Sequence, residues 1–366
     1  MLKFYSVRNS MSSQILITGA TGFIGRRLTR DLVARGRRVR ILARSQGKAC
    51  ELFGDHVEIS VGDVGDPASL ETACRGVETI YHIAGIYRFG LRHHRELWNA
   101  NVEGTENLLR SAAAAGVGKM VHLSSGGVLK KSGVVGPADS GSPVLPLLDE
   151  NDFPANAPRF CSYKSSKWHA EQRVLAWARK GLPVVIASTT CPIGRGDETP
   201  TPTGQIIRDF LQRRFPFYCR TGLNFIGVGD LSQGLQLAAE SGRVGERYLL
   251  SGENLWLKEF LDLLAGETGL PAPRRCLPNA LIRLIGCGGE ALDFLNPRST
   301  SARVCLETAL QAEHLQFFSN ARARNELGWK PAGTIQENIS EAVAWFRNET
   351  EVELAPAASS VGSHVQ

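Results

Sequence analysis

Apolar residues at 14–18 run into a cluster of glycines, and an amphipathic stretch at 23–35, closed by Gly36, follows. Apolar runs of strand length recur at 38–43, 57–61, 79–84, 119–124 and 184–188. Helix-period stretches stand between them, at 102–115 with Leu108 and Leu109 inward and from Tyr163 to about Lys180. Strands alternating with helices predict an α/β fold, a doubly wound parallel sheet. After residues 191–194 the rhythm is lost. Pro and Gly become frequent, strands become rare, and helical patches fall at 205–212, 257–264 and 307–317. The pattern predicts a nucleotide-binding core over 14–190, to which 223–251 returns. A smaller, mostly helical lobe over 191–349 closes on the carboxyl edge of the sheet, where ligands bind in such folds. Residues 1–13, with a second methionine at Met11, and 350–366 are expected to be flexible ends.

Gly19, Gly22 and Gly25 lie between the first strand and the first helix, the setting in which a glycine pattern holds a dinucleotide. Such glycines let the backbone approach a pyrophosphate, whose charge the helix N-terminus stabilises. The second strand ends in Leu42-Ala-Arg-Ser45 and carries no acid for a ribose hydroxyl. The forked donors of Arg44 suit a 2′-phosphate, with Arg37 and Arg38 as helpers, so NADP(H) is favoured and NAD(H) is the alternative. Asp63 ends the third strand, where its carboxylate would reach an adenine amino group or simply shape a turn. Asn101 would hold either the nicotinamide ribose or a neighbouring helix.

Tyr163 and Lys167 stand four residues apart, on one face of a helix. A lysine ammonium beside a phenol favours phenolate, which equips the pair to exchange a proton with an alcohol or ketone. Ser124 and Ser125 end the fifth strand and point to opposite faces, so one of them orients the substrate oxygen; the residues alone do not choose.

Composition narrows the classes. The 366 residues are 43% hydrophobic and 21% charged, ordinary for a globular enzyme, and contain no apolar stretch of membrane-span length. The net charge of +6 owes much to the arginines between Arg26 and Arg44, where Asp31 is the single acid. They lack the interleaved aromatics of a nucleic-acid site. Eight cysteines without metal-ligand spacing read as free thiols in a reducing compartment, the cytoplasm, with no metal site. Arg92-His-His-Arg95 reads as a solvated patch, and His82, His122 and His169 as hydrogen-bonded structural histidines. Apolar residues at 277–295 read as lobe core, with a bound apolar substrate or a membrane surface as alternatives.

Together these residues resemble the extended short-chain dehydrogenase/reductase family, a Rossmann fold, over nearly the whole of 14–348. The matching motifs are Thr18-Gly-Ala-Thr-Gly-Phe-Ile-Gly25, Gly62-Asp63, His82-Ile-Ala84, Asn101-Val-Glu-Gly-Thr105, Ser124-Ser125, Tyr163-x-x-x-Lys167, Cys191-Pro-Ile-Gly194 and Asn325-Glu-Leu-Gly-Trp-Lys-Pro331. The resemblance implies Ser125, Tyr163 and Lys167 as catalytic residues. It adds Thr21, Phe23, Ile24, Val64, Ala84, Pro192 and Ile193 to Gly19, Gly22, Gly25, Arg44, Asp63 and Asn101 as cofactor contacts, and counts Tyr163 and Lys167 among them as well. The chain is most similar to the dihydroflavonol-reductase and 3β-hydroxysteroid-dehydrogenase branch, near bacterial hopanoid-associated proteins labelled epimerases. That implies an oxidoreductase acting on an apolar ring substrate, sterol or triterpenoid, as a homodimer through the Tyr163 helix. The alternatives are a nucleotide-sugar epimerase with tightly held NAD and a non-catalytic dinucleotide sensor. Against the epimerase stand Arg44 and the segment Gly222-Leu-Asn-Phe-Ile-Gly-Val228, which has no arginine for a sugar diphosphate unless Arg208, Arg213 or Arg214 replaces it.

Overall fold

The computed structural model describes residues 14–130, 147–159, 161–295 and 305–354. The extension at 1–13 and residues 355–366 of the expected tail lie outside the described residues. The described residues form twelve strands: β1 (Gln14–Thr18), β2 (Val39–Ala43), β3 (Glu58–Val61), β4 (Val77–His82), β5 (Lys119–Ser125), β6 (Val184–Thr189), β7 (Cys191–Ile193), β8 (Phe217–Cys219), β9 (Gly222–Gly227), β10 (Arg247–Leu250), β11 (Glu253–Trp256) and β12 (Arg275–Leu277).

Seven strands form one parallel sheet in the order β10-β6-β5-β4-β1-β2-β3. The order reverses between β1 and β4, and that switch point opens a crevice at the carboxyl edge. Alternation along each strand feeds two cores. Ile15, Ile17, Val121 and Leu123 pack on one face with Leu28, Leu231 and Trp329. Leu16, Ile80, Met120 and Ile186 pack on the other with Leu70, Leu108 and Val174. The chain after residue 191 contributes to the first core through the helix Val228–Ser241 and strand β10 on the sheet edge.

The lobe holds more strand than the pattern predicts. β9 pairs with β7 in parallel and with β11 antiparallel, and β8 pairs with β12. These strands are three to six residues long, too short to leave a periodic signature. Phe225, Phe260, Ile339 and Phe346 centre the lobe core. The predicted helix at 307–317 stops early, at Leu306–Gln311, because the chain beyond it runs extended to bridge Phe318 with Leu148. The last helix, Ile335–Leu354, continues into the stretch expected as a tail.

The apolar stripe at 277–295 is corrected too. Along the helix Asn279–Leu295, Ile282 is buried, but Leu284, Leu292 and Leu295 are 69%, 65% and 82% exposed. Glu290 and Asp293 take the inward positions instead. No helix among the described residues is long and apolar enough to cross a membrane.

Candidate active site

The glycine turn is built by close approach. Gly19 has φ +74°, and a Cβ there would stand 2.6 Å from the Ala84 nitrogen. A Cβ on Gly25 would meet the Gly19 carbonyl, so strand, turn and helix pack against one another. Gly22 is exposed and caps the helix Phe23–Ala34, whose first turn carries neither a capping side chain nor an acid. The first amides of that helix therefore keep their hydrogen-bonding capacity for an anion, and the cradle fits a pyrophosphate. Thr21, Phe23 and Ile24 are half-buried at the same turn.

At the far side of the crevice, Arg44 ends β2 with its side chain 84% exposed, 3.8 Å from the Asp63 carboxylate. The Asp63 carboxylate also accepts the Gly65 amide at 2.7 Å, which shapes the turn after β3. Val64 packs against Gly104, and Ala84 donates its amide to the Thr18 hydroxyl. Arg37 and Arg38 are corrected: they precede β2, at the amino end of the sheet, one strand length from Arg44, and cannot share its ligand. The basic stretch is dispersed into pairs, Arg27 with Asp31, Arg40 with Glu58, and the buried Arg26 with Glu198. Glu198 also binds Lys48 at 2.9 Å, bringing the loop after β7 against the dinucleotide crevice. Nothing local in the sequence signals that link. Pro192 and Ile193 are buried on β7, with Ile193 in the lobe core.

The helix Ser162–Arg179 carries Tyr163 and Lys167 along the end of β5. The structure separates the two serines. Ser124 is buried and hydrogen-bonds to the Glu171 carboxylate, which pairs with Arg247. Ser125 hydrogen-bonds to the Tyr163 phenol and accepts the Gly127 amide at 3.1 Å. Lys167 donates to the Leu123 carbonyl at 2.7 Å, and burial lowers its pKa to about 8. The expected fall of the phenol pKa is not found. Burial raises it, the Ser125 hydrogen bond opposes this, and the Glu307 and Cys191 side chains raise it further. Burial thus favours the neutral phenol, the opposite of the expected direction.

Asn101 sits in a π-helical turn, Trp98–Glu103, and its amide is fully engaged: it accepts from the Ile86 amide and donates to the Ile86 carbonyl and Ser166. It pins the 85–89 segment to the Tyr163 helix. That segment lays two rings on the phenol, Tyr87 at 4.6 Å and Phe89 at 5.8 Å between centroids. A small cavity of about 20 Å³ continues past Ser125, lined by Gly127, Lys164, His314 and Phe318 among others.

His82 is the hydrogen-bonded structural histidine expected, whereas His122 and the Arg92-His93 patch differ. His82 is bridged by Thr18 at 2.8 Å and Thr105 at 2.9 Å, and burial holds its pKa at about 3. His122, beside it at 5.3 Å, is buried with no partner on either ring nitrogen. Burial, then the charge of Lys167, keeps it well below 6.5. A buried imidazole that stays neutral binds fewer protons than its unfolded form, so stability is full above about pH 6.5 and falls as pH drops below it. His122→Leu is therefore expected to stabilise the fold by about 1–3 kcal/mol and to flatten that acid limb, measured by urea unfolding from pH 4 to 8. Arg92 and His93 are not solvated: Arg92 lies 3.7 Å from the buried Asp293, which requires a cation, while His94 and Arg95 are exposed. All eight cysteines are free thiols, and no metal-binding cluster occurs among the described residues.

Comparison with known proteins places this geometry. The NAD dependent epimerase/dehydratase family model matches residues 15–250. The chain belongs to that family, the extended short-chain dehydrogenases/reductases. Sterol demethylase protein B of Methylococcus capsulatus is 33% identical over 91% of this chain and 98% of its own. A 4-hydroxy-2-methyl-3-oxo-4-farnesyl-3,4-dihydroquinoline-1-oxide ketoreductase of Stigmatella aurantiaca is 30% identical over 88% of this chain and 93% of its own. Among solved structures, a nucleoside-diphosphate-sugar epimerase from Pseudomonas aeruginosa superposes with a TM-score of 0.71 at 26% identity, covering 92% and 98% of the two chains. The protein is an NAD(P)-dependent oxidoreductase acting on CH–OH groups.

Proposed function

We propose that the enzyme interconverts a secondary alcohol and a ketone on an apolar ring substrate of the sterol or triterpenoid class, with NADP(H). The observation that carries this reading is the Tyr163 phenol, kept neutral, hydrogen-bonded to Ser125 and walled by Tyr87 and Phe89. Aromatic walls suit a fused apolar ring and offer no charge to a sugar diphosphate. On β9, Leu223 and Phe225 pack in the lobe core, Ile226 packs in the sheet core, and Asn224 is tied to Gly252 and Asn254, so that strand supplies no cation. Sterol and prenylated-ring substrates also stand in the names of two relatives, which adds support.

A bound dinucleotide supplies or accepts the hydride. In the reducing direction Ser125 orients the ketone oxygen and Tyr163 gives it a proton. Lys167 holds the ribose and, as an ammonium below about pH 8, favours the phenolate that remains. Gly19, Gly22 and Gly25 seat the pyrophosphate, Asp63 and Val64 flank the adenine, and Ala84, Asn101, Pro192 and Ile193 frame the nicotinamide half. Arg44 grips the 2′-phosphate. This reading also includes a homodimer through the Ser162–Arg179 helix and contact of the exposed Leu284, Leu292 and Leu295 with lipid, the source of such a substrate.

The purified protein is expected to release no bound NAD on denaturation and to consume NADPH with a sterol or triterpenoid ketone. Stoichiometric retained NAD without net turnover would move the reading to epimerisation. Arg44→Ala is expected to raise KM for NADPH by roughly tenfold or more while leaving KM for NADH unchanged. Steady-state kinetics with both cofactors checks it.

A further inference from the structure

The helix that presents Tyr163 starts without a cap of its own. Its N-cap is Cys161, which makes no capping side-chain bond, and its first turn contains no acid. An uncapped N-terminus leaves several amides without partners, and here they lie beside the reacting phenol. The lobe fills the gap. Glu307, fully buried on the helix Leu306–Gln311, turns its carboxylate towards the amides of Tyr163 and Lys164, the second and third residues of the helix, which favour its charged form; its Oε1 has no other partner among the described residues. Those are the amides a capping side chain normally serves.

The same carboxylate accepts the Gly90 amide at 3.3 Å. Glu290, buried on the helix Asn279–Leu295, accepts the Leu91 amide at 2.7 Å and the Leu306 amide at 3.3 Å. Two buried acids from the lobe thus fasten the chain just after Phe89 and join it to the start of the Tyr163 helix. Burial raises the Glu307 pKa to about 7, opposed by the Gly90 amide and then by the charge of Lys164; Glu290 is the other acid nearby, with Tyr87, Tyr163 and the Cys305 thiol as titratable neighbours.

We infer that Glu307 is a positioning residue, which supplies from the lobe the missing cap of the catalytic helix and with Glu290 clamps the Tyr87–Phe89 wall onto Tyr163. The inference rests on the proposed role of Tyr163. It couples lobe closure to phenol placement: a lobe displaced by substrate would release both the cap and the wall.

Hydrogen exchange on the full-length protein tests the clamp without any substrate, so it stands apart from the assignment of function. Glu307→Ala is expected to speed exchange about tenfold in peptides spanning 86–91 and 161–167, the size of a lost cap, and to leave 14–18 and 184–189 at wild-type rates. Glu307→Gln keeps a carbonyl acceptor and is expected to restore most of that protection. With the ring ketone, kcat of the Ala variant is expected to fall about tenfold while Kd for NADPH stays within about twofold. Unchanged exchange at 161–167 would overturn the inference, as would acceleration spread evenly over the sheet. Should the Ala variant not fold, Glu307→Gln gives the same reading at smaller amplitude: local acceleration supports the clamp, and none overturns it.

Discussion

Tyr163→Phe is expected to lower kcat by about 10²–10⁴-fold, the usual contribution of a positioned proton donor, with little change in KM for NADPH or in stability. Among the described residues the phenol has one hydrogen-bond partner, Ser125, and its ring is packed by Tyr87 and Phe89. Phenylalanine keeps that packing and removes the proton. A helix anchored by Lys167 on the Leu123 carbonyl, and by Ser166 on Asn101, does not need the hydroxyl to hold its place. The loss therefore falls on the chemical step. Single-turnover reduction with NADPH separates that step from binding, and a variant that retained more than a tenth of wild-type kcat would remove Tyr163 from the mechanism. Ser125→Ala serves as the companion, because it leaves the proton but not its orientation.

The parts of this site that are legible in the sequence are those encoded within one turn or one helix. The spacing of Gly19, Gly22 and Gly25, the four-residue step from Tyr163 to Lys167, and the lack of an acid in the Leu42–Ser45 segment that ends the second strand are local facts with local physical meaning. Alternating strands and helices carry the doubly wound sheet for the same reason. The serine pair shows where local reading ends: a strand sends neighbours to opposite faces, but Glu171, 47 residues away, is what claims Ser124. Arg37 and Arg38 mislead because charge alone does not tell which end of β2 it occupies. The phenol mislead in another way. Helix spacing sets Lys167 under it, yet the ammonium goes to a backbone carbonyl and burial dominates. Glu198, Glu290 and Glu307 carry no periodic or motif signal, since their partners lie roughly 16 to 217 residues off and only the fold brings them near.

Arg247→Met is expected to cost about 3–5 kcal/mol of stability, the largest structural effect among the substitutions considered. Arg247 lies on the edge strand β10 and pairs with Glu171, whose fully buried side chain projects from the Tyr163 helix. Its guanidinium also lies 4.1 Å from the Phe153 ring centroid, so its planar face is packed as well as its donors. Methionine fills the stem volume but leaves the Glu171 carboxylate with Ser124 alone, and an uncompensated buried charge is costly in a way that the intact pair is not. The double variant Arg247→Met with Glu171→Leu removes both charges and is expected to recover much of the loss. Urea unfolding of the four proteins in the cycle gives the coupling directly. Activity reports the second consequence. Glu171 is one turn beyond Lys167 and its charge favours the ammonium, so the double variant is expected to refold well yet to have Lys167 neutral at a lower pH. A double variant that regained stability but kept the wild-type pH profile would show that the triad of Ser124, Glu171 and Arg247 braces the sheet edge without tuning the site.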